Sequence, residues 1–296
     1  MTRRNRWTGS FYDLPRAFTD PRRAQVVIIP APYEGSVSYR KGTERGPFAI
    51  FQASKQVELF ESELGIEPAQ IGICSIAPLK LKTLSPRFAV KKVEEAVKGV
   101  LKNGKKPVLL GGEHSLSIGA IRAGVQFFPE LEVLHLDAHS DLREQYEGDS
   151  YSHASVMRRV LELGVNSISL GVRSFSKEEY EFIQAKKLKV YLAHQLKAVS
   201  GWEEMIVGQL GKRIYITLDL DVLDPSEMPG VGTPEPAGLH YQDLIRLIKT
   251  LANSGKEVIG FDLVELAPIE GEVVSEFGCA RLLYQMIGWL WSGTKS

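Results

Sequence analysis

The sequence predicts an α/β fold, a three-layer α/β/α architecture around a largely parallel sheet of about eight strands. Short runs rich in Val, Ile and Leu recur along the 296 residues without regular alternation of apolar and polar positions. Such runs are typical of strands buried on both faces of a parallel sheet. Amphipathic stretches separate the runs almost from end to end, and this alternation indicates a layered α/β fold.

The strands are expected, in chain order, at 25–29, 70–74, 107–110, 131–136, 167–170, 189–192, 213–218 and 258–264. A helix is expected to begin at Gly46 and Pro47, because Pro is favoured in the first turn of a helix. Apolar residues at helical spacing predict helices around 93–101 and 244–251. An apolar stretch predicts a last, mostly buried helix over 274–291. Neither repeats nor a linker interrupt this pattern, so we expect a single domain over 1–296.

The composition excludes several classes of partner. Lys and Arg total 36, as do Asp and Glu, so no net charge favours nucleic acid or an anionic membrane. No run approaches the ~20 apolar residues that a membrane span needs. Cys74 and Cys279 form neither a metal motif nor a disulfide framework. Residues 1–7 are rich in Arg and lack an apolar stretch, so we expect no secretory signal and a cytoplasmic location.

Two short acidic segments that follow predicted strands carry most of the functional information. The first contains Asp137, His139 and Asp141, and the second contains Asp219 and Asp221. Because side chains alternate between the two faces of a strand, residues two positions apart point the same way. Five such groups at the ends of core strands would repel one another without cations. We therefore predict that they bind metal, as two ions.

Other strand ends add candidate residues. His114 follows two glycines, which allow close approach of the backbone, and is predicted to be another metal ligand. Glu113 is predicted to support the ligands from behind, and Asp224 and Asp262 are given the same role. His135 is interpreted as a structural residue that faces the opposite layer.

The types of ligand indicate the metal and the chemistry. Carboxylates dominate and thiols are absent, which favours Mn²⁺ over structural zinc, with Mg²⁺, Co²⁺ and Fe²⁺ less favoured. Two such ions would lower the pKa of a shared water to roughly 7. Glu265 follows the last strand and adds a negative charge that suits a planar cation such as guanidinium. His153, in a loop close in sequence to the metal-binding segment, is predicted to transfer a proton.

Five motifs carry a resemblance to a known family. They are Gly-Gly-Glu-His-Ser at 111–115, Asp-Ala-His-Ser-Asp at 137–141, Ser-His-Ala-Ser at 152–155, Asp-Leu-Asp-Val-Leu-Asp-Pro at 219–225 and Val-Glu-Leu-Ala-Pro at 264–268. In this order they resemble the ureohydrolase family of arginase, agmatinase and formimidoylglutamase. The segments 32–35 and 42–47 resemble the N-terminal part of that family, so the resemblance spans nearly the whole chain.

The resemblance implies an arginase-like fold and a binuclear manganese site. By matching positions, one Mn²⁺ takes His114, Asp137, Asp141 and Asp219, and the other takes His139, Asp137, Asp219 and Asp221. A hydroxide that bridges the ions is expected to attack the guanidinium carbon and release urea. The expected catalytic residues are His153, which matches the family's proton-shuttling histidine, Glu265, which matches its guanidinium-binding glutamate, and Asp141.

Within this family the loops set the substrate. The segment 142–151 lacks the Ser-Gly-Asn pattern of arginases and is acidic on balance. Its Glu144, Glu147 and Asp149 are candidate ligands for a second cation on the substrate. The segment 171–176 resembles agmatinase more than arginase. These features favour agmatine as a small cationic guanidino substrate, cleaved to putrescine and urea in polyamine biosynthesis.

Several alternatives remain open at this point. An arginase, or another enzyme acting on guanidino or formimino acids, is the main one. A metal-dependent deacetylase on the same fold would have a paired-histidine motif, and no His-His occurs in the sequence. A two-metal phosphoesterase would have Arg or Lys in place of Glu265, and a metal-binding homologue without catalysis is disfavoured by the complete ligand set. The family also implies a homo-oligomer, either a trimer or a hexamer.

Overall fold

The computed structural model describes residues 11–293, and a sheet of eight strands lies at its centre. The strands are Val26–Ala31 (β1), Ile73–Ser75 (β2), Lys106–Gly111 (β3), Glu132–Leu136 (β4), Asn166–Val172 (β5), Lys189–Leu192 (β6), Arg213–Asp219 (β7) and Glu257–Val264 (β8). Their order is β2-β1-β3-β8-β7-β4-β5-β6, and every pairing between neighbours is parallel. The predicted fold class is confirmed. The Arg-rich residues 1–7, considered above, lie outside the described residues.

Ten α-helices occur in the described part of the chain. They are Arg16–Thr19 (α1), Gly46–Ser54 (α2), Pro86–Lys102 (α3), Ser117–Phe127 (α4), Val156–Leu161 (α5), Lys177–Lys186 (α6), Ala193–Lys197 (α7), Trp202–Gln209 (α8), Tyr241–Asn253 (α9) and Val274–Ile287 (α10). Among residues 11–293, no helix combines the length and the apolar character that crossing a membrane requires.

Several boundaries differ from the prediction by one or more residues, and two of these differences have a clear physical reason. The strand expected at 70–74 begins only at Ile73, because Pro68–Ile71 forms a 3-10 turn that ends at Gly72 with φ 84°. A positive φ of this kind is readily adopted by Gly and interrupts an extended strand. The last helix ends at Ile287 and widens into a π-helical turn, Gly288–Ser292. In this turn Trp291 stacks on Phe261 and donates its indole N–H to the carbonyl of Val258.

The helices cover both faces of the sheet. Val26 and Ile28 of β1 belong to one apolar core, together with residues of α2, α8, α9 and α10. Val27 and Ile29 belong to the other core, together with residues of α3, α4 and α5. This division follows from the alternation of side chains along a strand. It produces the three layers that the sequence predicts.

The strand order determines where a site can form. The consecutive strands β3 and β4 are separated by β8 and β7. Ligands of open α/β sheets bind beyond the carboxyl ends of the strands, at such a change in strand order. The loops that follow β3, β8, β7 and β4 therefore meet at one place on the edge of the sheet.

Candidate active site

The first group of polar residues at this edge surrounds His114, which begins the turn after β3. Its Nδ1 lies 3.0 Å from Asp137 Oδ2, 3.1 Å from Asp141 Oδ2 and 3.5 Å from Asp219 Oδ2. All four residues are buried. They come from the ends of β3, β4 and β7, so the sheet itself brings together residues that are distant in sequence.

A second group surrounds His139. Its Nδ1 lies 2.9 Å from Asp221 Oδ2 and 3.4 Å from Asp137 Oδ1. The two groups therefore share Asp137, which uses a different carboxylate oxygen for each of them. Two sets of side chains lie close enough together to hold an ion: His114, His135, Asp137 and Asp141 form one, and Asp137, His139 and Asp221 form the other. Two adjacent ligand groups with a common carboxylate suggest a binuclear metal site.

The hydrogen bonds of the first group test whether a metal fits. His114 Nδ1 and Asp141 Oδ2 are buried and lack hydrogen-bond partners within the described chain. His114 Nε2 lies 2.9 Å from Thr217 Oγ1, and the Thr217 hydroxyl donates its single proton to Asp262 Oδ1 at 2.8 Å. Thr217 must then accept from Nε2–H, which leaves the Nδ1 lone pair of neutral His114 for a cation. Partners of this kind commonly orient a metal-binding histidine.

The electrostatics also indicate a site built for cations. Burial raises the pKa of Asp219, and the charges of Asp221 and Asp137 raise it further. Burial lowers the pKa of His139, but Asp221 and Asp137 outweigh burial, and the net shift is well upward. Without a cation, protons therefore have to balance the clustered negative charge. A divalent ion would replace those protons.

The interpretation of His135 needs correction. Its Nε2 lies 3.0 Å from Asp137 Oδ2, and its Nδ1 lies 3.0 Å from Ser169 Oγ. His135 and Asp137 are two positions apart, so strand geometry places both side chains on the same face. His135 therefore lies beside the first group and does not face the opposite layer.

Glu265 lies on the cavity beside these groups. Its Oε1 accepts the backbone N–H of His114 at 2.7 Å, and the side chain is buried. Burial raises the pKa of Glu265, and the nearby Glu113 adds to the rise. A cationic group in the cavity would favour the charged form of this carboxylate.

Two of these acidic residues have unusual backbones. Asp141 has φ 52° and Glu265 has φ 67°, both in the left-handed region. Non-glycine residues adopt this region at a cost, and such strain is concentrated at functional sites. The strain fits the predicted importance of both residues.

One cavity of about 260 Å³ connects the candidate residues. It is lined by Glu265, His153 and every member of the two histidine–aspartate groups except Asp137. His153 Nδ1 lies 3.2 Å from Ser36 Oγ, and its ring meets that of Tyr146 edge to face. The aromatic residues Tyr39, which is largely exposed, and Phe175 also line the cavity.

The three acidic residues expected to hold the distal amine do not line this cavity. Glu144 and Glu147 are exposed, and Asp149 accepts the backbone N–H of Tyr151 at 2.7 Å. Glu147 lies in a tight turn that is closed by the pairing of Tyr146 with Asp149. The same loop instead contributes Arg143 and Tyr146 to the cavity.

The three residues expected behind the ligands have different surroundings. Asp262 supports Thr217, as described above. Glu113 accepts hydrogen bonds from the loop at 35–36 and from Ser115. Asp224 lies apart from both groups and stabilises a turn, where it accepts from Ser226 and Gly238.

Sequence reasoning missed several supporting residues. Thr217 is two positions before Asp219, so strand alternation alone could have identified it. Arg173 donates to the backbone carbonyls of Asp221 at 2.7 Å and Glu235 at 2.8 Å, and so fixes the loop that carries Asp221. Ser36 gives no sequence signal, because it contacts His153 across 117 positions.

The comparisons with known proteins agree with this geometry. Residues 24–288 match the model of the arginase family. The chain belongs to the arginase family. An "N(1)-aminopropylagmatine ureohydrolase" of Synechocystis sp. is 40% identical to this arginase-family chain over 280 residues, which cover 92% of the chain and 91% of the relative. An "Agmatinase" of Bacillus cereus is 36% identical over 248 residues, covering 83% and 84% respectively.

A solved structure, the agmatine ureohydrolase of Thermoplasma volcanium, superposes on the arginase-family chain with a TM-score of 0.85. It is 32% identical, and the match covers 95% of this chain and 94% of that one. The predicted family and arginase-like fold are confirmed. The expectation of a ureohydrolase enzyme is confirmed as well, because relatives that cover most of the chain are named ureohydrolases and agmatinases.

Proposed function

We propose that this chain hydrolyses the guanidinium group of agmatine to give putrescine and urea. The observation that carries the proposal is the shared cavity, because Glu265 and the two groups joined by Asp137 all line or border it. A ureohydrolase needs a carboxylate for the guanidinium cation next to a site that activates water. The buried carboxylate of Glu265, next to a candidate metal site, supports both roles.

The residues assigned to two Mn²⁺ ions are those of the two groups, with Asp219 of the first group assigned to both ions. One ion would be held by His114, Asp137, Asp141 and Asp219, and the other by His139, Asp137, Asp219 and Asp221. The oxygen-rich donor set suits Mn²⁺. When bound, such ions supply Lewis-acid activation of water at neutral pH.

Glu265 is assigned to the substrate cation. A carboxylate can accept two parallel hydrogen bonds from a guanidinium, which fixes the orientation of the plane as well as the position. Its contact with the His114 backbone N–H holds the carboxylate close to the first group. The guanidinium carbon would then lie beside the site where water is activated.

His153 is assigned to the proton. Hydrolysis breaks the bond between the guanidinium carbon and the amine nitrogen, and the departing amine must gain a proton. An imidazole that lines the cavity can accept a proton and donate it to that nitrogen. Asp141 would serve as a metal ligand held in place by its strained backbone.

A second candidate substrate is N(1)-aminopropylagmatine. The 40% identical Synechocystis relative carries that name, whereas two relatives named agmatinase are 36% identical. Tyr39, Tyr146 and Phe175 give the outer cavity aromatic surface, on which an alkyl chain and an ammonium group can both bind. An extended polyamine tail therefore suits the outer cavity.

Urea release with Mn²⁺ tests the proposal against agmatine, N(1)-aminopropylagmatine, arginine, guanidinobutyrate and formimidoylglutamate. We expect kcat/KM for agmatine to exceed that for arginine by a wide margin. A higher kcat/KM for N(1)-aminopropylagmatine would assign the longer substrate, and comparable values for arginine and agmatine would contradict the proposal. Asp224→Asn, which changes an acid outside the cavity, is the matched control and should keep the wild-type substrate order.

A further inference from the structure

A hydrogen-bonded chain connects Glu113 through Ser36 to His153. We infer that Ser36 and Glu113 are positioning residues that hold neutral His153 as the tautomer with its hydrogen on Nδ1. This tautomer leaves Nε2 as the nitrogen that can accept a proton in the cavity. The catalytic part of the inference rests on the proposed function, whereas the tautomer itself can be measured without substrate.

Glu113 determines which group donates in each hydrogen bond of this series. Its Oε2 accepts the backbone N–H groups of Gly35 at 2.5 Å and Ser36 at 2.6 Å. Its Oε1 accepts the hydroxyls of Ser36 at 2.8 Å and Ser115 at 2.5 Å. The side chain is fully buried, and an ionised carboxylate accepts hydrogen bonds without donating any. Both hydroxyls must therefore direct their protons toward Glu113.

The orientation of the Ser36 hydroxyl determines which nitrogen of His153 carries the hydrogen. A serine hydroxyl has one proton and two lone pairs, and the proton is already committed to Glu113. The lone pairs face the backbone N–H of His153 at 3.0 Å and its Nδ1 at 3.2 Å. Oγ can only accept from Nδ1, so Nδ1 must carry the hydrogen.

Two glycines allow the loop to approach this closely. A Cβ at Gly35 would lie 2.2 Å from the Tyr33 hydroxyl oxygen, and one at Gly112 would lie 1.8 Å from the Tyr33 carbonyl oxygen. Tyr33 is itself fixed, because its hydroxyl donates to the carbonyl of Leu84 at 3.0 Å. The loop that carries Ser36 is therefore closely packed against Tyr33. This packing favours one geometry for the Ser36 hydroxyl.

The tautomer has a defined part in the proposed reaction. As the carbon–nitrogen bond breaks, the oxygen of water becomes the urea oxygen, and a proton from that water is passed to the departing amine. Nε2 takes up this proton and then releases it, while Nδ1 keeps its own. The ring returns to its starting tautomer after each turnover.

The first test measures the tautomer by ¹⁵N NMR of the histidine rings, in the full-length chain loaded with diamagnetic Zn²⁺ at a pH where His153 is neutral. His153→Asn assigns the signal by its loss. We expect a protonated Nδ1 in the wild type, and a protonated Nε2 there would overturn the inference. Ser115→Ala is the matched control, because it removes a hydroxyl from the same Glu113 oxygen without touching His153, and it should leave the tautomer unchanged.

Glu113→Gln provides the sharpest variant. The glutamine oxygen can keep the two backbone N–H groups while its NH₂ faces the hydroxyls, which would turn the Ser36 proton toward His153. We expect the tautomer to reverse, with the hydrogen on Nε2. Ser36→Ala should give a mixture, and Ser36→Thr should restore the wild-type state because it keeps the hydroxyl. An unchanged tautomer in both Glu113→Gln and Ser36→Ala would overturn the inference.

The second test separates positioning from general damage through kinetics with Mn²⁺. Ser36→Ala should lower kcat by roughly 10- to 100-fold, the usual effect of losing a partner behind a functional histidine, with KM and metal content nearly unchanged. Ser36→Thr should recover most of kcat. A fall in kcat that Ser36→Thr does not recover would contradict the positioning role. If no guanidino substrate releases urea while the tautomer is as expected, the proposed function fails and the inference about the ring stands.

Discussion

The two ends of the sheet differ in how their charged side chains are arranged. At the amino ends of β3, β7 and β8, Glu257 lies 3.0 Å from Lys106 and 3.0 Å from Arg213. These side chains are partly exposed and carry both signs of charge. At the carboxyl ends, Asp137, Asp141, Asp219, Asp221 and Glu265 are all buried. In the described part of the chain, no Lys or Arg lies within ion-pair distance of these carboxylates.

The contrast shows what the site lacks. At the amino ends, water and opposite charges satisfy each group, so the pairs there need nothing else. At the carboxyl ends, the carboxylates are buried, and within residues 11–293 the only basic side chains within ion-pair distance of them are histidines. A buried charge is costly unless it is paired or bound to a metal. The same strands thus end in a neutral, solvated edge on one side and a cation-binding edge on the other.

Removing a ligand that both ions share should reduce the contrast between the two edges most strongly. Asp137 contacts both groups, so Asp137→Asn should release both metal ions and abolish urea formation. Asp221 contacts only the second group, so Asp221→Asn should lose or loosen a single ion first. Elemental analysis of the purified variants checks this order. A single tightly held ion in fully active wild-type protein would contradict the binuclear arrangement.

Glu265→Gln should have the next largest effect. The change preserves shape but removes the charge that faces the guanidinium, and losing one partner of a buried charged pair is costly. We expect kcat/KM to fall by about 10³-fold or more. Metal content, measured on the same samples, should stay at the wild-type level, and its loss would show instead that Glu265 supports the ions.

His153→Asn should impair proton transfer alone. We expect kcat to fall by ~10²–10⁴-fold, the range typical of a positioned acid–base group, with KM and metal content nearly intact. Steady-state kinetics over a range of agmatine concentrations separate these parameters. If the variant lost its metal, His153 would be a ligand, and if kcat did not change, the proton would travel by another route.

Metal affinity should depend on pH with a definite sign. In the metal-free chain the pKa values of His139 and Asp219 are raised, so both groups hold protons to higher pH than usual. A metal binds only the deprotonated ligands, so binding releases protons and becomes tighter as pH rises, by about tenfold per pH unit for each proton released. Titration calorimetry in buffers with different ionisation enthalpies measures this release. Absence of proton release would contradict the cation-for-proton exchange.

A substitution at the amino-end edge should have the smallest effect. Glu257→Gln removes the charge that pairs with Lys106 and Arg213, and exposed pairs of this kind contribute little to stability. We expect the melting temperature to fall by about 2 °C or less. Metal content and kcat should match the wild type. A loss of metal in this variant would mean that the two edges are coupled through the strands.

Much of the site could be predicted because its information is local. The two-residue spacing predicted that Asp137 groups with His139 and Asp219 with Asp221, and parallel strands bring their carboxyl ends to the same edge. β4 ends at Leu136, and Asp221 lies in the 3-10 turn Leu220–Val222, so the segments just beyond the strands complete both pairs. Strand alternation also predicts the faces of His135 and Thr217. The sequence therefore contained the information to place His135 beside Asp137 and to identify Thr217. The strand order that makes β4 and β7 neighbours follows from packing of the whole chain, as does that of β3 and β8.

The sequence by itself was enough to predict about eight strands, the arginase-family motifs and most of the residues that lie in the two histidine–aspartate groups. Only the tertiary structure decided that Glu144 and Glu147 are exposed, and that Ser36 connects Glu113 to His153 across 77 and 117 positions. The physical reason is the separation in sequence between the residues that interact. Side-chain alternation is set by the backbone of a single strand, whereas the direction of a loop side chain depends on contacts with residues distant in the chain, which no local pattern encodes.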